Sequence, residues 1–450
     1  MGHAAVTGHQ PESRQPRFPG GFLLAVQGRP WIIWAATRLV ALSVGLITAA
    51  AHRGNVFWDT TYYAHWVFGA AHGQVPYDDF AWEYPPAALP VMGLSGPYAP
   101  GLGSATRLYH VVYGVSWVVV ALVVDALVFR VLVRRADGPT APAVTLWLWG
   151  LPLLGALSWA RFDLFPAAAA LAALLLAGRR HPAGSGVVAG VGAALKLWPG
   201  LLAPIQRTRR ASAAATAATA TVVVAVAALT YRLTGAVGFT DVLAYQSRRG
   251  LQIESVAALP LLWAQHLGDS GLHTQVAFGA VQYAAALVGP VVLGSTVALV
   301  VGVALVYAAH WRLARVDAGP RGVGLSAMAL MLVVLLTDKV LSPQYLLWLI
   351  AVLAAAAILD PATWRPFVPW VLAAAAATQV EFPLLYQDLT HSTWPGLLVL
   401  TGRDILLAGL LVAVVRLLVR ELRGTATLPG RCAAGESPAD ASPSAVESPR

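Results

Sequence analysis

The chain has 450 residues, 58% of them hydrophobic and only 11% charged, with a formal net charge of +9. A soluble protein carries about 25% charged residues. A mean hydropathy of +0.66 therefore excludes an ordinary water-soluble domain and marks an all-α polytopic membrane protein. The positive balance does not argue for nucleic acid, because Arg and Lys stand in short clusters between apolar spans, where they act as topology signals.

A transmembrane helix needs about 20 mostly apolar residues. In chain order, spans are expected over 31–51, 109–133, 144–160, 164–177, 212–231, 287–309, 323–337, 345–359, 367–380 and 397–418. The first apolar run begins near Trp31 without a cleavage site, so it is expected to stay as the first membrane helix. Two further apolar stretches, 85–97 and 184–205, are too short or too interrupted to cross plainly. Both fit re-entrant or broken helices, which are tolerated where protein or a watery cavity surrounds them. The expected total is roughly ten to twelve spans, with re-entrant or short helices in the outer loops. Segments 1–30 and 420–450 are expected to be disordered and cytoplasmic, flanking a membrane domain over 31–419 whose first outer loop covers about 52–84.

The basic clusters order the topology. Arg14, Arg17 and Arg29 precede the first span, and Arg130, Arg134 and Arg135 close the second. Arg179, Arg180, Arg207, Arg209 and Arg210 flank the re-entrant candidate; Arg312, Arg315, Arg321, Arg416, Arg420 and Arg423 follow later spans. All fall on one side when both termini are cytoplasmic.

That topology turns four polar segments outward. The first loop holds Asp59, Asp78, Asp79 and Glu83; segment 158–163 holds Arg161 and Asp163; segment 245–255 holds Arg248, Arg249 and Glu254; and 338–345 holds Asp338, Lys339 and Gln344. A fifth, weaker one carries Glu381, Tyr386 and Asp388. Cations on this face, each near a membrane edge, suit the phosphate of a lipid headgroup. Pairing within the chain, Arg161 with Asp163 or Asp338 with Lys339, is an equal reading for any one of them. Lys196 precedes a Trp-Pro break and has two readings: snorkelling to the cytoplasmic interface, or a phosphate contact made from a broken helix. Asp125, inside the second span, reads as a helix–helix hydrogen-bonding residue that Arg38 can reach from the first.

Cys432 is the sole cysteine, which rules out an intrachain disulfide, and residues such as His3, His9, His52, His65 and His72 are scattered singly. No metal or other cofactor is expected. The chain also lacks a Gly-rich phosphate loop. Adjacent Asp78 and Asp79 are more simply read as solvated than as a metal pair.

Several short motifs stand in a fixed order. They are Asp59 and Tyr62, Gly73, Pro76-Tyr77, Tyr84-Pro85-Pro86, Arg161-Phe162-Asp163, Lys196-Leu197-Trp198-Pro199, the run from Arg249 to Ser255, and Ser342-Pro343-Gln344-Tyr345. In this the chain resembles the glycosyltransferase 87 family, whose members include polyprenol-phosphate-mannose-dependent α-1,2-mannosyltransferases of cell envelopes. The resemblance covers about 31–418 and implies a membrane glycosyltransferase type C fold with an outward-facing site, where an acid in the first outer loop serves as base. Asp59 matches that acid. In place of the late-loop His of other members, this chain offers Asp338 and Lys339.

The implied chemistry is inverting displacement of a polyprenyl phosphate by an acceptor hydroxyl on a glycolipid or glycan, within the membrane lipid. Asp59 takes the proton, while Arg161, Arg248, Arg249, Lys339 and Lys196 hold phosphate. Asp163, Glu254, Gln344, Tyr62, Glu83 and Tyr84 complete the candidate substrate-binding set. A transporter or flippase of a lipid-linked sugar is the alternative; it shares cations and broken helices but predicts two matching halves, which the sequence does not display.

Overall fold

The computed structural model describes residues 29–426 apart from 52–55, 81, 97–105, 139–140, 236–237 and 269–270. The chain begins with α1 (Pro30–Ala50), α2 (Trp58–Ala71), α3 (Ala88–Gly93), α4 (Arg107–Arg135), α5 (Pro142–Leu154), α6 (Leu157–Ala160), α7 (Leu164–Gly178) and α8 (Pro182–Leu195). It continues through α9 (Arg209–Thr234), α10 (Phe239–Arg248), β1 (Leu251–Gln252), α11 (Leu259–His266), β2 (Thr274–Ala277), β3 (Ala280–Tyr283) and α12 (Ala285–Leu313). The remaining helices are α13 (Gly319–Thr337), α14 (Leu346–Leu359), α15 (Pro361–Trp364), α16 (Val368–Gln379), α17 (Tyr386–Thr390) and α18 (Trp394–Ala426).

Among the described residues, α1, α4, α9, α12 and α13 are long and apolar enough to cross a membrane, as is the run Pro361–Leu384 that contains α15 and α16. Four shorter apolar helices join them, including α5, α7 and α8. Every span expected from the sequence returns as a helix. The expected 144–160 span is divided, because Pro152 and then Gly155, at φ 79°, end α5. Burial separates centre from rim. The apolar window of α13 is 78% buried and that of α9 or α12 only 11%, so α13 and the uniformly buried α14 form the axis while α9 and α12 face outward.

Prolines and glycines set the details that matter for the site. Pro152 cannot donate to the carbonyl of Leu148, and the Nη1 of Arg38 donates to that oxygen instead at 2.7 Å. The same guanidinium pairs with Asp125 at 2.9 Å, and the indoles of Trp34, Trp147 and Trp159 all donate to that carboxylate. The expected pairing of Arg38 with Asp125 is thus present, and it binds α1, α4, α5 and α6 together. On the other side of the bundle, Gly186 and Gly190 let α8 press onto the backbone of α9, where a side chain on Gly186 would collide with Ala215. Thr219 seals that contact by donating to the Gly186 carbonyl at 2.8 Å.

The stretch 184–205 is re-entrant. Lys196 leaves α8 in an extended conformation, Pro199 cannot continue the helix, and a short 3-10 turn (Trp198–Leu202) leads back until the amide of Gln206 reaches Ser185 at 2.9 Å. The Arg clusters gather at this same end. Arg180 and Arg207 both bind Asp317, at 2.7 and 2.9 Å, and Arg321 pairs with Glu421 at 3.3 Å. The segment expected as the first outer loop carries a short helix, α2, whose Tyr63 and Ala64 are buried, as the expectation of short helices there allows. One expectation needs correction: the final helix runs past residue 420 to Ala426, with Leu422 packed against the core. Residues 1–28 and 427–450, expected to be disordered, lie outside the described residues.

Candidate active site

The end of the bundle opposite the Arg clusters carries the candidate residues. Asp59 lies in the first turn of α2, where the helix dipole favours a carboxylate. It shares the buried helix face with Tyr63, one turn on, and pairs with Arg161. Both partners are mostly buried, with side-chain exposures of 20% and 16%. Arg161 follows the four-residue α6, and its backbone is fixed on both sides. The Trp117 indole donates to the Ala160 carbonyl at 3.1 Å, and the Phe162 amide donates to the Tyr63 hydroxyl at 3.2 Å. Burial lowers the Arg161 pKa to about 10 against the opposing pull of Asp163, Glu254 and Tyr386. Its Nε is buried without a hydrogen-bond partner.

Asp163, two residues from Arg161, makes no ion pair with it, although its charge acts on the guanidinium. It accepts instead from the Lys196 ammonium and from the Trp348 indole, both at 2.7 Å. Lys196 stands over the rings of Tyr345 at 4.6 Å and Trp348 at 5.1 Å, and these two rings stack at 3.8 Å. Burial pulls the ammonium down, but Asp163, Tyr345 and Glu83 outweigh it and leave its pKa above the ordinary value. Snorkelling is overturned: the α8 break delivers Lys196 to the site end. The Ala87 amide docks on the Ala194 carbonyl at 3.1 Å and so brings the Glu83-Tyr84 loop against that break.

Glu83 is half-buried between Arg249 and Lys196. Burial raises its pKa despite both cations. Tyr84 packs edge-on to Phe162, and its hydroxyl shares a 3.4 Å hydrogen bond with Tyr63. Arg249 enters as α10 gives way to β1, which pairs with β3. It is 7% exposed, its Nε has no partner, and its guanidinium reaches the Gln246 side chain and the Phe278 carbonyl at a long 3.5 Å. Lys339 is placed differently from expectation. Its ammonium donates to the Ser247 and Arg249 carbonyls at 3.1 and 2.8 Å, and its own carbonyl accepts from the Gln252 amide, so it fastens the Arg249 loop. Beside it, burial pushes Asp338 up to about 6 against the hydrogen bond from Val340 and the pull of Arg249.

A buried network lies behind Arg161. Arg403 binds Glu381 at 2.6 Å, Asp404 at 2.9 Å and the Glu254 carbonyl at 2.5 Å. The Gln252 amide donates to the Glu254 carboxylate, whose pKa is raised well above the ordinary range by burial and by Glu381, against Arg403. One carboxylate oxygen each of Glu254, Glu381 and Asp404 is left without a partner.

The structure thus brings Asp59, Arg161, Asp163, Lys196, Glu83, Tyr84, Arg249, Glu254 and Lys339 to one end of the bundle. Gln344 is half-buried in the turn Pro343–Tyr345 that delivers Tyr345. Two candidates stand apart. Arg248 is exposed at the end of α10, and Tyr62 is 44% exposed in an outward row with Trp58 and Trp66. The Tyr345–Trp348 platform and Arg403-Asp404 went unread in the sequence; a charged pair inside the apolar run 397–418 was the available signal. Asp78 and Asp79 are exposed, and Asp79 accepts from the Val75 amide at 2.7 Å. Among the described residues, no three His, Cys, Asp or Glu converge to hold a metal.

Neither the curated proteins nor the solved structures contain a match to the chain. A family model does match: glycosyltransferase family 87, over residues 82–343, more than half of the chain. The matched region includes Glu83, Tyr84, Arg161, Asp163, Lys196, Arg249, Glu254 and Lys339, while Asp59, Gln344 and Arg403 fall outside it. Membership favours glycosyl transfer over transport, and with the apolar helices described above, the chain is a multi-pass membrane protein that belongs to glycosyltransferase family 87.

Proposed function

We propose that the protein moves a sugar, mannose in the reading that the family resemblance favours, from a polyprenyl-phosphate donor to a glycolipid or glycan acceptor of the cell envelope. The reaction runs on the extracytoplasmic face, with both termini cytoplasmic. The observation that carries this reading is a carboxylate, Asp59, set at a helix N-terminus against a buried guanidinium, Arg161, with Lys196 and Arg249 at the same end of the bundle. The Arg clusters at the other end support this orientation.

A lipid phosphate is already a leaving group, so the protein must supply two things. Asp59 takes the proton of the acceptor hydroxyl as that oxygen attacks the anomeric carbon. Cations hold the oxyanion that departs with the polyprenyl chain. Direct displacement inverts the anomeric centre, so a β-linked donor gives an α-linked product. Asp163 orients Lys196 and takes no direct part.

The donor assignment is tested by giving purified protein either synthetic polyprenyl-phosphate mannose or a nucleotide-activated mannose, with a panel of envelope glycolipids as acceptors. A new glycoside from the lipid donor alone is expected. Product from the nucleotide sugar alone would overturn it.

A further inference from the structure

Arg161 offers more hydrogen bonds than the protein takes up. A guanidinium carries five N–H donors in a planar fork. One is spent on Asp59, and Nε is buried without a partner. Asp163 is committed to Lys196 and Trp348, while Glu254 takes the Gln252 amide on one oxygen, keeps the other without a partner, and makes no ion pair with Arg161. The backbone on either side is pinned by Trp117 and Tyr63, which leaves movement to the side chain alone. The Phe382 ring, 6.0 Å from the guanidinium carbon, gives that side chain an apolar surface to turn against.

This arrangement conflicts with the role of Asp59 as it stands. A carboxylate paired with a cation is a weaker base, and its lone pairs are covered. The same fork fits a phosphate as well as it fits a carboxylate.

We propose that Arg161 occupies two positions, holding Asp59 in the donor-free enzyme and passing to the donor's phosphate when the lipid-linked sugar binds, so that the base is uncovered only in the loaded site. The inference rests on the reading of Asp59 as base and of the donor as a phosphate ester. It makes binding ordered, donor before acceptor, and it makes Asp59 a competitor of the donor for Arg161.

The competition can be measured without turnover. Synthetic polyprenyl-phosphate mannose is titrated onto the full chain in lipid nanodiscs, for wild type, Asp59→Asn, Arg161→Gln and the double variant, with the unfolding temperature of each recorded. Asp59→Asn is expected to bind the donor about tenfold more tightly, the weight of roughly one pKa unit of carboxylate–guanidinium attraction. In the Arg161→Gln background the same change should alter affinity by less than about twofold. An unchanged affinity in Asp59→Asn overturns the exchange. So does a tightening that persists without Arg161, which would mean simple repulsion between Asp59 and phosphate. Should Arg161→Gln not fold, Arg161→Lys provides the comparison; a point charge without the fork should retain less than half of the tightening. Transfer is scored separately. Asp59→Asn with normal transfer defeats the base itself, whereas lost transfer with unchanged donor affinity defeats only the exchange.

Discussion

Lys196 and Arg161 are both buried cations at the same end of the bundle, yet they are answered in opposite ways. Lys196 meets Asp163, which also accepts the Trp348 indole, and it lies on two stacked rings. Arg161 meets Asp59 and keeps an unpartnered Nε, with unpaired oxygens of Glu254, Glu381 and Asp404 in the network behind it. A buried polar group left unpaired costs about 1–3 kcal/mol, so each one calls for an explanation. On the proposed reading the Lys196–Asp163 pair is the finished side, although the Trp198 indole stacked on Trp348 also lacks a partner, and the Arg161–Asp59 pair is the unfinished side that takes substrate.

The contrast breaks most visibly at Asp163. Asp163→Ala strands Lys196 without its carboxylate and should cost about 3–5 kcal/mol of stability, seen as a large fall in unfolding temperature in detergent. Next comes Arg161→Gln, expected to lower turnover by about 10²–10³ while the unfolding temperature falls less than in Asp163→Ala. If Arg161→Gln proves the less stable of the two, the division between finished and unfinished sides is wrong.

A smaller effect is expected at Asp338. Its folded pKa, about 6, lies above the ordinary 3.8, so the folded state holds the proton more tightly than the unfolded one. The resulting stabilisation is complete below 3.8 and is lost as the pH rises through 6, about 1–3 kcal/mol in all. Thermal unfolding followed across that window should show the slope, and Asp338→Asn should flatten it. Smallest is Arg248→Gln, at an exposed position, which should change donor affinity less than about twofold. An equal loss there and at Arg249 would show that general positive charge, not a built site, attracts the donor.

Much of this was legible in the sequence because it depends on local pattern. Apolar length gave the helices, and the Arg clusters gave a common end. Trp198-Pro199 marked the α8 break, and Asp59 stood out as an acid beside an apolar span. Pairing was not legible, because it is tertiary. Arg161 reaches across 102 positions to Asp59, and Asp163 across 33 to Lys196, although Arg161 and Asp163 are near neighbours in sequence. Lys339 looked like a phosphate ligand by charge and position, and only the strand contact between Gln252 and its carbonyl turns it toward the α10 loop. Arg403 was overlooked since the run around it reads as an ordinary span, yet three acidic residues converge on it.

The central claim is that Asp59 takes the acceptor's proton, and sugar transfer by wild type and Asp59→Asn in parallel tests it most directly. With matched membrane insertion and unfolding temperature, the variant should lose about 10²–10⁴ in turnover. Transfer by Asp59→Asn within tenfold of wild type would contradict the account and move the search for the base to Glu83, the other half-buried acid of the 52–84 segment.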